Sequence, residues 1–89
     1  MIVFVFSIYD EKAGAFAAPF TAPSIGHAIR SFADEVNSAR DSSLLSKHPE
    51  DFQLFELGMF DDSDGSFDLL PAPSPRGNGL TYRLDPEGE

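Results

Sequence analysis

Residues 61–65 read Asp61, Asp62, Ser63, Asp64 and Gly65, three carboxylates and a hydroxyl closed by a glycine. Oxygen donors at this density suit a calcium loop or a carboxylate pair. A calcium loop of the EF-hand type needs its glycine at the sixth position, side-chain oxygens at the first, third and fifth, and a bidentate glutamate at the twelfth. With Gly65 as that glycine, the first position is Phe60 and the twelfth is Pro71, so the template fails at both ends. Asp-Gly between two apolar runs instead signals a hairpin, because glycine accepts positive φ and aspartate caps its own turn.

The other chemistry-bearing residues are sparse. His27 and His48 have no His-x-x-x-His pairing and no third ligand at a diagnostic spacing, so no metal site is expected. Serines are plentiful, but none sits in G-x-S-x-G, and no phosphate-cradling glycine loop follows a strand. With no cysteine there is neither a thiolate nucleophile nor a disulfide. These observations predict no catalytic residues, no cofactor and a non-enzymatic protein. Arg30 stands out, mid-helix beside an apolar stripe, where a guanidinium fork would pair with an acid such as Asp10, Asp34 or Asp51, or grip a phosphate or a partner carboxylate. Lys12, Lys47 and His48 join it as candidate contacts to DNA or to a partner protein.

Fifteen acids against six bases give a formal charge of −9. Such a surface repels phosphate backbones as a whole, leaving room only for a local basic face drawn from Lys12, Arg30, Arg40, Lys47, His48, Arg76 and Arg83. The opening residues 1–10 are apolar, yet they lack a basic start and meet Asp10 and Glu11 at once, which predicts a strand and neither a targeting nor a membrane segment.

A chain of 89 residues with 42% hydrophobic content and nine phenylalanines folds as one domain with a core of modest size. Residues 2–9 are β-branched and aromatic almost without a polar break, the pattern of a central strand covered on both faces. Residues 15–20 predict a second strand that lies at an edge or bends at Pro19, and residues 52–60 and 66–70 a third and a fourth. Ser24 is placed to cap a helix over 24–39 whose stripe is Ile25, Ala28, Ile29, Phe32, Ala33 and Val36. Leu44 and Leu45, in the connection over 42–49, are expected in the core. The expected fold is α+β: an antiparallel sheet of four to five short strands with one amphipathic helix on one face, in a domain of residues 1–70. Residues 71–89 read as a Pro- and Gly-rich segment with a short terminal strand or a docking segment at 80–84.

One helix covers one face of such a sheet, while Val3, Val5, Phe55, Leu57 and Met59 make the second face apolar too. A large exposed apolar patch is rare on a soluble monomer, so these five residues predict a homodimer packed sheet to sheet, or one sealed by exchange of the 80–84 segment.

The order of motifs resembles the small nonstructural protein of gokushovirus-type microviruses, phages with single-stranded DNA genomes. The similar elements are a strand ending in Tyr9, Asp10, Glu11 and Lys12; Phe16 and Pro19-Phe20; Ala28 to Phe32 leading to Val36-Asn37; Ser43-Leu44; the block from His48 to Asp61; and Gly65 in its turn. The likeness spans residues 2–70 and rests on order and spacing. It implies an accessory binding module of single-stranded DNA genome replication or packaging in the bacterial cytoplasm, contacting single-stranded DNA or the phage's replication and packaging proteins. The charge of −9 opposes direct phosphate binding. It keeps open an acidic dimer that engages an initiator, a procapsid or a host factor without DNA, and also a carboxylate-dense surface, at 61–64 and 85–89, that imitates DNA.

Overall fold

The computed structural model describes residues 1–38 and 43–84. Strand β1 (Ile2–Asp10) is central, as its apolar run, broken only by Ser7 before Asp10, leads one to expect. One of its edges pairs with β2 (Ala15–Phe16) and β3 (Phe20–Ala22), and the other with β4 (Phe52–Asp61), which in turn pairs with β5 (Ser66–Asn78). All pairings are antiparallel, with Tyr9 opposite Phe16, Val5 opposite Thr21, Ile8 opposite Leu54 and Phe60 opposite Phe67. The sheet curls into a half-barrel. The α+β architecture expected from the sequence is the one observed. The single strand expected over 15–20 is split in two, because Pro19 cannot donate to a ladder.

Helix α1 (Ile25–Val36) begins where Ser24 caps it, the Ser24 hydroxyl accepting the His27 amide at 3.0 Å. It stops at Asn37, whose side-chain amide donates to the Ala33 carbonyl at 2.8 Å; residue 39 lies outside the described residues. Ala28, Phe32 and Val36 form the buried stripe and close on Phe6, Phe52 and Leu54 of the sheet. Each large apolar side chain so buried contributes roughly 1.5–3 kcal/mol. The one-turn helix α2 (Leu44–Lys47), capped by the Ser43 hydroxyl, lies beside α1. Leu45 packs against the core, but Leu44 points outward and is 58% exposed, against expectation: on so short a turn only one of two neighbouring leucines faces the sheet.

Strand β4 carries a bulge. Phe6 faces Glu56 and Val5 faces Gly58, so Leu57 is an extra residue without a partner on β1. The alternation resets there. Met59 lies opposite Phe4, on the helix-covered side, and Phe60 lies opposite Val3 on the other. Met59 therefore does not share the face of Val3, Val5, Phe55 and Leu57. Gly58 sits at φ 154°, and a Cβ there would stand 2.4 Å from the Asp68 carbonyl oxygen, so the bulge depends on glycine.

Residues 71–78 are not a linker and no boundary falls at residue 70: β5 runs straight through to Asn78. Its prolines at 71, 73 and 75 are tolerated because β5 is the outermost strand, where a missing amide costs no ladder bond. Between the pairs Gly58–Leu69 and Glu56–Ser74 the strand bows outward. Its second half is tied down by Arg76, whose Nε donates to the buried Glu56 carboxylate at 3.0 Å. Residues 80–84 do not form a strand. They belong to the helical turn α3 (Gly79–Tyr82) and the two residues after it, with the Asn78 side-chain Oδ1 accepting the Leu80 amide at 2.8 Å. Tyr82 then packs edge-on against Phe32 of its own subunit, ring centroids 6.0 Å apart, and Asn37 accepts the Leu84 amide at 2.7 Å. The segment thus serves its own core, and no exchange between subunits is needed to seal it.

Candidate functional site

Two surfaces gather the residues of interest. The first is a cleft of about 370 Å³ at the end of the sheet where β1 finishes and β4 starts. The β1–β2 turn forms one wall. Its Asp10 carboxylate accepts the Lys12 amide at 3.0 Å, and Gly14, at φ 67°, closes the turn. A 3-10 turn over Pro49–Asp51 forms the other. The backbone of this second wall is held on several sides: the Glu11 amide donates to the Asp51 carbonyl at 2.9 Å, the Asn78 side chain donates to the Glu50 carbonyl at 3.1 Å, and Pro49 is buried against Gly79. Lys12 and His48 line this cleft together with Asp10, Glu50 and Asp51. One ligand atom from each of His48, Glu50 and Asp51 lies within 4.8 Å of the others, a donor set able to hold a metal ion.

Of the four residues expected to contact DNA or a partner, the structure brings Lys12 and His48 together. Lys47, next in the chain to His48, is exposed at the end of α2, where Arg83 joins it by donating to the Ser46 carbonyl at 3.1 Å. Arg30 is exposed on α1 and, among the described residues, has no ion pair with Asp10, Asp34 or Asp51. Arg76 is taken up by Glu56. No single basic face forms among the described residues; Arg40 lies outside them, as do the acids at 85–89.

The acidic stretch at 61–65 is a hairpin turn. Gly65, at φ 77°, donates its amide to the Asp61 carbonyl at 2.8 Å. The Asp61 carboxylate accepts from the hydroxyl and the amide of Ser63, and Asp64 accepts likewise from Ser66. These hydrogen bonds, the hydroxyl one foremost, hold both carboxyls below the ordinary value of 3.8.

The second surface is the face of the sheet opposite α1. Val5 and Ser7 in its middle are already buried by the curl, Ser7 donating its hydroxyl to the Ala17 carbonyl at 2.6 Å. Beside them runs a trough of about 230 Å³ between Phe16, Ala17 and Pro19 on one side and Leu57 and Pro73 on the other. The rings of Tyr9, Phe16 and Phe55 cluster at one end, with Phe16 and Phe55 centroids 5.3 Å apart, and Phe60 and Phe67 pair at 4.8 Å at the other. The exposed apolar surface lies at the margins: Phe16 is 45% exposed, and Phe67 and Leu69 are each 61% exposed. Val3, Phe55 and Leu57 are half-buried, and Val5 is covered within the subunit. Sequence reasoning chose the middle strands and missed Phe16, Phe67 and Leu69; the signal for them was their place on edge strands, where the curl cannot cover them.

The family model described as Phage ORF5 protein matches residues 3–80. The chain is 38% identical over 69 residues to "Protein ORF5" of Chlamydia phage 1, a stretch covering 75% of this chain and 72% of that protein. No solved structure matches. The kinship with small microvirus proteins expected from the order of motifs is thus found.

Proposed function

This chain belongs to the Phage ORF5 protein family, and from that premise we propose that it is a non-enzymatic accessory binding protein of phage genome replication or packaging, working in the host cytoplasm as a homodimer through the open face of its sheet. The exposed margin of Phe16, Phe67 and Leu69 around the apolar trough carries this reading. One face of the sheet has its helix and its sealed core, while the other leaves large aromatic and aliphatic side chains in water. Apolar surface so arranged has its driving force in association, because every side chain removed from water on contact is favourable. Proline at three alternate positions of β5 blocks edge-to-edge strand pairing, which favours contact face to face.

A second reading is contact with single-stranded DNA. The Tyr9, Phe16 and Phe55 rings offer stacking surfaces, and Lys12 sits in the adjoining turn. A net charge of −9 and the dispersal of Arg30 and Arg76 away from those rings favour the protein partner. Among the described residues no helix is long and apolar enough to cross a membrane.

Light scattering of the wild type and of Phe67→Ser/Leu69→Ser at micromolar concentration, beside an anisotropy titration with a single-stranded oligonucleotide, separates the readings. A dimer dissociated by the double substitution, with no oligonucleotide binding even at low salt, is the expected outcome. A wild-type monomer whose oligonucleotide binding weakens with salt and with Lys12→Ala would replace it by the DNA reading.

A further inference from the structure

We infer that His48, Glu50 and Asp51 form a binding site for a divalent transition-metal ion of the zinc class. Glu50 and Asp51 lie in the 3-10 turn over Pro49–Asp51 and His48 immediately precedes it, and their ligand atoms lie within 4.8 Å of one another. Donors bonded to one ion at about 2.0–2.2 Å stand roughly 3.3–4.4 Å apart, so small rotations of the exposed His48 and Glu50 side chains bring all three onto a single ion.

The backbone that carries these side chains is held in place. It is fixed by the Glu11 amide, the Asn78 side chain and the packing of Gly79 on Pro49, so binding orders little chain. None of the three side chains makes a hydrogen bond or an ion pair with another described residue. Lys12 lines the same cleft without pairing to Glu50 or Asp51, and Asp10 adds a carboxylate to the wall. Two uncompensated carboxylates held close together repel, and a cation between them relieves that repulsion. The imidazole selects against the hard cations: calcium and magnesium prefer an all-oxygen shell, whereas zinc, nickel and cobalt take nitrogen readily. Three protein ligands leave coordination positions open to the cleft, where water or an anionic group of a partner completes the shell.

The test uses the full chain freed of metal by a chelator and titrated calorimetrically with zinc, with cobalt absorbance as a second readout. One ion per chain should bind, His48→Ala should weaken it at least tenfold, as even outer-shell changes do at metal sites, and Glu50→Gln/Asp51→Asn should do the same. Asp62→Asn, in the hairpin turn, should leave the affinity unchanged. Because His48 is exposed, its substitution should not alter the metal-free melting temperature, whereas zinc should raise that of the wild type. Absence of saturable binding, equal binding by calcium, or zinc binding that survives His48→Ala would overturn the assignment and leave an adventitious ion on an acidic surface.

Discussion

The two faces of the sheet carry the same kinds of side chain and treat them in opposite ways. On the face under α1, Phe6, Leu54 and Val36 show no exposure and Phe32 only 2%. On the other face Phe67 and Leu69 of β5 stand 61% exposed, and only the middle, at Val5 and Ser7, is dry. Composition alone does not decide which phenylalanine stabilises the fold. What decides is whether an element crosses over it: α1 covers one side around Phe6, Phe52 and Leu54, while curling closes only the centre of the other. The first face accounts for stability and the second is available for association.

The contrast breaks most visibly at the core. Phe6→Ala should cost about 3–5 kcal/mol in urea unfolding, the loss typical of a large ring removed from a packed interior; a cost near 1 kcal/mol would mean that the helix-covered face is loosely packed. Gly58→Ala tests the bulge that sorts residues between the two faces. With backbone 2.4 Å from the new methyl group and φ in the left-handed half, it should cost about 2–3 kcal/mol. Arg76→Met should cost a similar amount, about 2–3 kcal/mol. Glu56 would be left buried without its partner, and the loss stays below that of a fully enclosed pair because Arg76 is about a third exposed. Glu56→Met/Arg76→Met should recover most of that loss, because no buried charge is then left alone.

On the open face the expected losses of stability are smaller and the losses of association larger. Phe67→Ser should lower stability by less than about 1.5 kcal/mol, the worth of its ring contact with Phe60 and a little surface, while weakening self-association. The smallest effect belongs to the acidic turn. The carboxyls of Asp61 and Asp64 are depressed in the fold, so their contribution is present above about pH 3.8 and is lost as the pH falls through their lower folded values. The urea midpoint advantage of the wild type over Asp64→Ala should therefore be slight at neutral pH and shrink in strong acid. Growth of that advantage on acidification would contradict the assignment.

Much of the frame was legible in the sequence. The apolar run at 2–9, broken only by Ser7, marked a central strand, Ser24 marked the start of α1, and Asp64-Gly65 marked a turn. The rest depended on pairing. The bulge at Leu57 moves Met59 to the helix side; Gly58 inside the apolar run was its one mark, and reading 52–60 as a regular strand passed over it. Three prolines in 71–75 read locally as a linker; they are compatible with a strand only because that strand ends the sheet. Leu80, Tyr82 and Leu84 alternate like a strand, yet Asn78 caps a turn that sends Tyr82 into the core beside Phe32. At the cleft, Lys12 and His48 were singled out for charge. Their meeting with Glu50 and Asp51 went unseen because histidines were weighed against each other and not against the acids two and three residues on.

The assignment of the open face to association is tested most directly by the mass of the particle in solution, followed by sedimentation across a range of micromolar concentrations for the wild type and for Phe67→Ser/Leu69→Ser. The wild type should sediment as a dimer and the double variant as a folded monomer, less stable than its parent only by the small surface losses of its two side chains and by the loss of the partner. A wild type that remains a single subunit throughout, or a double variant that dimerises as well as its parent, would contradict it.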